Sequence, residues 1–280
     1  MALSCPLRLL HRPGGVDASI GMSLPGRPKG EYRSAQHEGT PVSQGVRLLP
    51  SGDQCLIVEF GRVIDVAINR RACAFARKLE LAALPGVTDI VPSFTGVGLH
   101  YRAQDVPMRG DESPLAALRR AVEALLATPS DADEGASRLV EIAVCYGGEF
   151  GPDLAEVAQS CGLAGDDVIA LHTATTGHVF MLGFAPGHPY IGLCDERLDI
   201  PRRSTPRTRV PAGTVAIANR QSNVYPFDLP GGWNLIGRTP CVMFDPLRQS
   251  PCLLRPGDGV RFVAISMAEF EAMQAMERGR

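Results

Sequence analysis

Apolar and polar positions change texture three times along the chain. Residues 1–45 mix Gly, Pro, Ser and Arg with no helix or strand period. Such a segment buries too little apolar surface to offset its ordering entropy, so it reads as a disordered extension, with Met22 as an alternative start. Periodicity begins at Val46. Residues 46–49 and 54–60 read as strands around a turn at Ser51-Gly52-Asp53. Val66, Ile68, Cys73, Phe75, Ala76, Leu79 and Leu81 recur at helical spacing within residues 65–84, and Pro85-Gly86 stops that helix. Two more strands fit 87–91 and 96–101. A second helix fits 113–127, with Ser113 as N-cap and Pro114 in its first position. The order β-β-α-β-β-α predicts a small α+β domain over residues 46–127, its helices on one sheet face.

The short polar, acidic stretch 128–137 reads as a linker. Beyond it come a strand at 138–146 and helices at 152–161 and 166–174. From Gly177 short apolar runs (179–184, 210–218, 234–237, 242–244 and 260–265) alternate with Gly and Pro, and 266–278 is an amphipathic helix. That texture predicts an antiparallel β-barrel or sandwich filling the second domain, residues 138–280.

Composition narrows the function classes. A formal net charge of -2 over 280 residues gives no reason to expect nucleic acid or an anionic membrane. No apolar run approaches the ~18 residues of a membrane span, and the N-terminus lacks a long apolar stretch before a small-residue cleavage site. The expected location is cytoplasmic. The eight cysteines are scattered, without a C-x-x-C pair or histidines at zinc-ligand spacing, so free thiols and no metal site are expected. There is no Gly-x-x-x-x-Gly-Lys-Ser/Thr loop, no Gly-x-Gly-x-x-Gly opening a helix, no Gly-x-Ser-x-Gly and no His-Glu-x-x-His.

Candidate chemistry lies in the second half. Residues 180–190 run from an apolar strand into a turn of Pro186, Gly187 and Pro189, with Phe184 and Tyr190 on either side. Such a turn fits close approach to a ligand or a packed barrel corner. His188 sits in that turn and is expected to be exposed and to titrate near neutrality. Arg202, Arg203, Arg207 and Arg209 lie close enough to repel unless solvated or met by an anion. Arg207 and Arg209, entering a strand, are the better candidates for binding carboxylate or phosphate. Residues 219–226 read as a loop whose Gln221 and Tyr225 can orient an amide or carboxylate. Gly232 and Trp233, the only tryptophan, follow a flexible turn, and Thr239 ends the next strand.

Several of these segments together resemble one family. They are residues 180–190; Pro201-Arg202-Arg203 with 205–213; residues 230–240; Phe244-Asp245-Pro246; and 253–258, with 146–154 similar to an earlier segment. The likeness is to the family of the 5-oxoprolinase B chain, the kinase inhibitor KipI and allophanate hydrolase subunit 1, over roughly residues 46–265. It implies an N-terminal α+β domain and a cyclophilin-like C-terminal β domain. It also implies a homologous C subunit and an A subunit as partners, with 5-oxoproline opened to glutamate at the expense of ATP by the complex. The alternatives within the family are inhibition of a sensor histidine kinase and an allophanate hydrolase or urea carboxylase type of carboxyltransferase subunit; no biotin-attachment Met-Lys-Met is present. Phe184, Gly187, His188, Tyr190, Arg207, Arg209, Gln221, Tyr225, Gly232, Trp233 and Thr239 are the expected substrate contacts, with no nucleophile assigned. Two departures stand out. His188 replaces the family's usual Phe, and Asn219-Arg220 replace glycines ahead of Gln221, which is expected to thicken that loop.

Overall fold

The computed structural model describes residues 41–42, 45–128 and 138–278. The expected extension over 1–45 and linker over 128–137 fall almost wholly outside them.

The first layer is a five-stranded sheet with two helices. Its elements are β1 (Pro41–Val42), β2 (Val46–Pro50), β3 (Cys55–Glu59), α1 (Val66–Ala82), β4 (Val87–Pro92), β5 (Gly96–Tyr101) and α2 (Pro114–Ala127). The strands pair in the order β1-β2-β3-β5-β4, all antiparallel. The Asp65 side chain caps α1 by accepting from Ile68 N, as Ser113 caps α2 by accepting from Ala116 N. Ala83, left-handed at φ 44, ends α1 before Pro85 is reached. Leu48, Leu56, Val58, Leu79, Leu99 and Leu118 form one buried core between sheet and helices.

The second part contains β6 (Leu139–Tyr146), α3 (Leu154–Cys161), α4 (Gly165–Ala174), β7 (Gly177–Leu182), β8 (Pro189–Gly192), β9 (Arg207–Val210), β10 (Thr214–Ala218), β11 (Gln221–Val224), β12 (Leu229–Gly231), β13 (Asn234–Arg238), β14 (Gly259–Ala264) and α5 (Met267–Arg278). Seven strands close a barrel in the order β10-β11-β8-β7-β14-β6-β13, and β9 with β12 forms a separate two-stranded ribbon. The expected barrel is present, with one pair of the other sense: β6 and β14 run parallel from Leu139 opposite Gly259 to Val144 opposite Ala264. A long crossover between first and last strand permits that pairing, which a hairpin cannot make. Ile142, Val144, Val179, Ile191, Ile217 and Ile236 fill the interior.

Several local expectations are corrected. The run 210–218 breaks into β9 and β10 at Gly213, whose φ of +78 turns the chain where a Cβ would lie 2.5 Å from Thr239 O. Residues 219–226 are not a loop. Asn219 and Arg220, both left-handed (φ 50 and 60), make a two-residue hairpin turn joining β10 to β11, with Ala218 opposite Gln221. The departure expected to thicken a loop is therefore a tight turn. Residues 242–244 form no strand and share only the bridge Phe244–Cys252. Strands β8 and β12 were hidden by their prolines, which read as turn residues.

One side chain ties the layer to the barrel. Asn69 of α1, fully buried, places Nδ2 at 2.8 Å from Ser93 O, 3.2 Å from Phe94 O and 3.0 Å from Phe180 O. Carbonyls only accept, so the amide nitrogen must face them and Oδ1 faces the other way. There it accepts from His178 Nε2 at 2.7 Å and from the Cys73 thiol at 3.4 Å. Phe94 packs beside this knot against Phe180 and, at 5.8 Å between centroids, against Tyr190. Asn69→Ala strands three carbonyls and a buried imidazole N–H, and should lower the unfolding free energy by about 2–4 kcal/mol. Urea denaturation checks this; a loss below ~1 kcal/mol contradicts the knot's importance.

Candidate functional site

The turn between β7 and β8 places the first wall of a pocket. Gly183 N donates to His188 O and His188 N to Ala185 O, closing a tight loop. Gly187 stands at φ +74, where a Cβ would lie 2.8 Å from Phe244 Cβ, so glycine is required on both counts. The loop turns His188 inward, 2% exposed, and Phe184 outward, 65% exposed. Phe184 also has φ 73, a strained value for a bulky side chain that costs of order 1–2 kcal/mol.

His188 is the centre of an aromatic box. Its ring lies 5.5 Å from Phe184, 5.3 Å from Tyr190 and 5.3 Å from Tyr225, all edge-on, and Tyr190 stands 6.2 Å from Trp233. The opposite wall comes from the β9–β12 ribbon and the chain entering it. Gly231 lies so close to Tyr225 that a Cβ would sit 2.0 Å from the phenol oxygen, and the Arg202 guanidinium lies 5.0 Å above the Trp233 ring. The space enclosed is about 220 Å³.

Phe184, His188, Tyr190, Tyr225, Gly232 and Trp233 are thus brought together at one pocket, and Gly187 shapes its loop. Arg207 stands behind it, its Nη2 on Asp153 Oδ1 at 2.6 Å. Arg203 reaches the same carboxylate and Glu156, while Asp153 Oδ2 accepts from Leu235 N at 2.8 Å. Arg209 is exposed, with its Nε on Asp228 at 2.8 Å. The repulsion expected among these arginines is relieved by the protein's own carboxylates. Gln221 lies at the hairpin turn opposite Gly192, and Thr239 lines a different cavity of about 260 Å³ beside Arg238 and Val242. Arg202, exposed in the loop before β9, also lines the pocket with Pro206, Pro230 and Gly231. Its position over the single tryptophan is the only signal of that role, and it appears only on folding.

His188 is not the exposed acid or base expected. Burial, with Arg202 beside it, pushes its pKa down to about 4 against a contact with its own backbone, and its Nδ1 is buried without a hydrogen-bond partner. At neutral pH it is an uncharged imidazole. Inside the barrel, His172 Nδ1 lies 2.7 Å from Tyr146 Oη and its Nε2 2.8 Å from Ser222 Oγ, which in turn lies 3.2 Å from Cys194 Sγ. Burial pushes His172 down to about 3. The gap beside this chain of side chains is about 10 Å³, too small for a substrate, so the network is part of the core. Among the described residues all seven cysteines are free, no helix is long and apolar enough to cross a membrane, and no group of three or more His, Cys, Asp or Glu side chains converges to hold a metal.

Residues 46–254 match the family model of the carboxyltransferase domain, subdomain C and D. The 5-oxoprolinase B chain of Bacillus subtilis is 43% identical over 224 residues, covering 79% of this chain and 93% of that protein. The chain belongs to the 5-oxoprolinase B-chain family. The protein of the same name from Escherichia coli O157:H7 is 40% identical over 222 residues, 79% of this chain and 96% of its own. The crystal structure of TTHA0988 superposes with a TM-score of 0.66 at 37% identity over 76% of this chain, which spans only 40% of that longer one. For this family member the cyclophilin-like barrel is therefore matched in sequence and in fold.

The buried histidines set an acid limit. His172, His178 and His188 are held neutral, at about 3, about 4 and about 4, chiefly by burial. In the unfolded chain each takes a proton near 6.5. The unfolded state therefore binds more protons below that pH. The stability is complete above ~6.5 and is lost at about 1.4 kcal/mol per histidine per pH unit as pH falls towards 4. Thermal denaturation between pH 7 and 5 should show a falling Tm; a flat profile refutes the assignment.

Proposed function

We propose that this chain is the substrate-binding component of an ATP-dependent 5-oxoprolinase complex, opening 5-oxoproline to glutamate together with an A subunit and a homologous C subunit. The observation that carries the reading is near full-length similarity to proteins named as the B chain of 5-oxoprolinase, at 43% and 40% identity. The pocket supports it chemically. 5-Oxoproline is a small, nearly flat lactam bearing a carboxylate. Tyr190 and Trp233 offer aromatic walls, and Arg202 supplies a guanidinium at the pocket, stacked on a ring where Arg207 and Arg209 are held by carboxylates. Neutral His188 contributes hydrogen-bonding capacity without net charge.

A lactam carbonyl is a poor electrophile, which explains a requirement for ATP. Attack of the lactam oxygen on the γ-phosphorus releases ADP and leaves the ring carbon activated. Water then adds there and the C–N bond breaks with the nitrogen taking a proton, giving γ-glutamyl phosphate, which a second water hydrolyses to glutamate and phosphate. The chain carries no P-loop motif, so the reading assigns ATP to the complex and substrate orientation to this component. It predicts a protein inactive alone.

Mixing the full chain with its A and C partners, ATP and 5-oxoproline should yield glutamate and ADP in equal amounts, and omission of any one of the three should abolish both. Arg202→Ala should raise KM for 5-oxoproline roughly 10–100-fold, as expected for loss of a charge-assisted hydrogen bond. Arg209→Ala, whose guanidinium is bonded to Asp228 outside the pocket, should leave KM within about twofold. No glutamate from the assembled complex removes the proposed reaction.

A further inference from the structure

Behind the aromatic box lies a second group of polar atoms. On β11 the side chains alternate. Ser222 and Val224 face the barrel interior, where Ser222 meets His172 and Val224 joins the core. Asn223 and, beyond the strand, Tyr225 face the other way, towards the layer between barrel and ribbon. Asn223 stands opposite Ala216, which with Ala218, Tyr225 and Trp233 forms the core of that layer. Asn223 is 0% exposed, yet neither its Nδ2 nor its Oδ1 has a hydrogen-bond partner. It lies beside the Tyr225 phenol, whose pKa is raised chiefly by burial and only partly offset by this neighbour, without the geometry of a formed bond.

Two further unpaired atoms share this layer. Arg207 Nη1 is buried and unpartnered, although Nη2 is held by Asp153. Arg207 is the cross-strand partner of Gly231, the residue that touches the Tyr225 phenol. His188 Nδ1 is likewise buried and unpaired, its ring 5.3 Å from that of Tyr225. Both ends of a carboxamide left unmet in an apolar layer are costly, and native proteins retain such groups where something else satisfies them. A core position opposite alanine would otherwise suit leucine of nearly the same volume.

We propose that Asn223 is a substrate-binding residue that reads the amide edge of a lactam. A ring forces its secondary amide to be cis, so C=O and N–H point to the same side. That edge matches a primary carboxamide: Asn223 Nδ2 donates to the lactam oxygen while the lactam N–H donates to Asn223 Oδ1. The Tyr225 hydroxyl, whose residue lines the pocket, is a further donor to the lactam oxygen, which gains negative charge as it is activated. Arg202 takes the carboxylate at the other end of the ring. This rests on the reading of the pocket as the 5-oxoproline site, and it adds the group that distinguishes a lactam from any other small carboxylate.

The test compares the full chain with Asn223→Leu. Thermal denaturation is run without ligand and with 5-oxoproline, 2-pyrrolidinone (lactam without carboxylate) or cyclopentanecarboxylate (carboxylate without lactam). KM is measured in the assembled complex, with Arg202→Ala alongside. The expected result is a ligand-free Tm raised by roughly 2–4 °C, since an unmet carboxamide is replaced by an apolar group. Protection by 5-oxoproline and 2-pyrrolidinone is lost, that by cyclopentanecarboxylate is kept, and KM rises tenfold or more. A Tm lowered by several degrees makes Asn223 a structural residue and overturns the proposal. A raised Tm with unchanged KM and unchanged lactam protection shows the carboxamide satisfied by internal solvent, and also overturns it. If Arg202→Ala raises KM and Asn223→Leu does not, the pocket stands and the lactam contact falls; if neither does, both fall. Should the complex not turn over 5-oxoproline, the thermal panel alone decides: lactam protection present in wild type and absent from the variant sustains the contact, and its absence from both removes it.

Discussion

The geometry of the pocket depends on a buried amide far from it in sequence. Asn69 holds two carbonyls of the β4–β5 turn and one of β7 with a single nitrogen, and accepts the His178 proton with its oxygen. Only a carboxamide offers an uncharged donor and acceptor in that fork. Because the β4–β5 turn is fixed, Phe94 is fixed, and Phe94 packs against both Phe180 and Tyr190. The sheet layer thus supports a wall of the pocket through contiguous rings rather than by lining it.

Charge is arranged with similar economy. Four arginines enter the same short stretch, and three are met by carboxylates of the chain itself: Arg203 and Arg207 by Asp153, Arg209 by Asp228. Asp153 is buried and also accepts from Leu235 N, so it ties the arginine segment to the barrel wall as well as balancing it. The remaining guanidinium, that of Arg202, lies over an aromatic face, which stabilises a cation while leaving its N–H edge available to a carboxylate.

The histidines show how burial changes chemistry. His172 and His178 are locked into networks by tyrosine, serine or asparagine partners, whereas His188 stands among rings with one nitrogen unpaired. All three are uncharged at neutral pH because the barrel and layer exclude the water that a cation needs. The pocket is consequently a neutral aromatic space with one cationic rim, suited to orienting a small anion rather than to transferring protons by itself.

Much of this was legible in the chain. Helical spacing with Asp65 and Ser113 ahead of it located α1 and α2, since caps and periodicity are local. The Gly- and Pro-broken apolar runs announced a barrel, and six of the expected contact residues do meet at one pocket. What linear reading missed has a common cause. Pro189 and Pro230 looked like turns because their strand partners are distant. Asn219-Arg220 looked like a loop because a two-residue hairpin depends on the register of its flanking strands. The positions of Arg202 over Trp233 and of Arg207 on Asp153 were not legible because those partners are remote in sequence and near only in space. The sequence by itself determined the helices, most of the strands and the family they belong to. Only the tertiary structure decided which arginine is unbalanced, which histidine is buried and which carboxamide lacks a partner, because burial and charge pairing are properties of residues that meet only when the barrel closes.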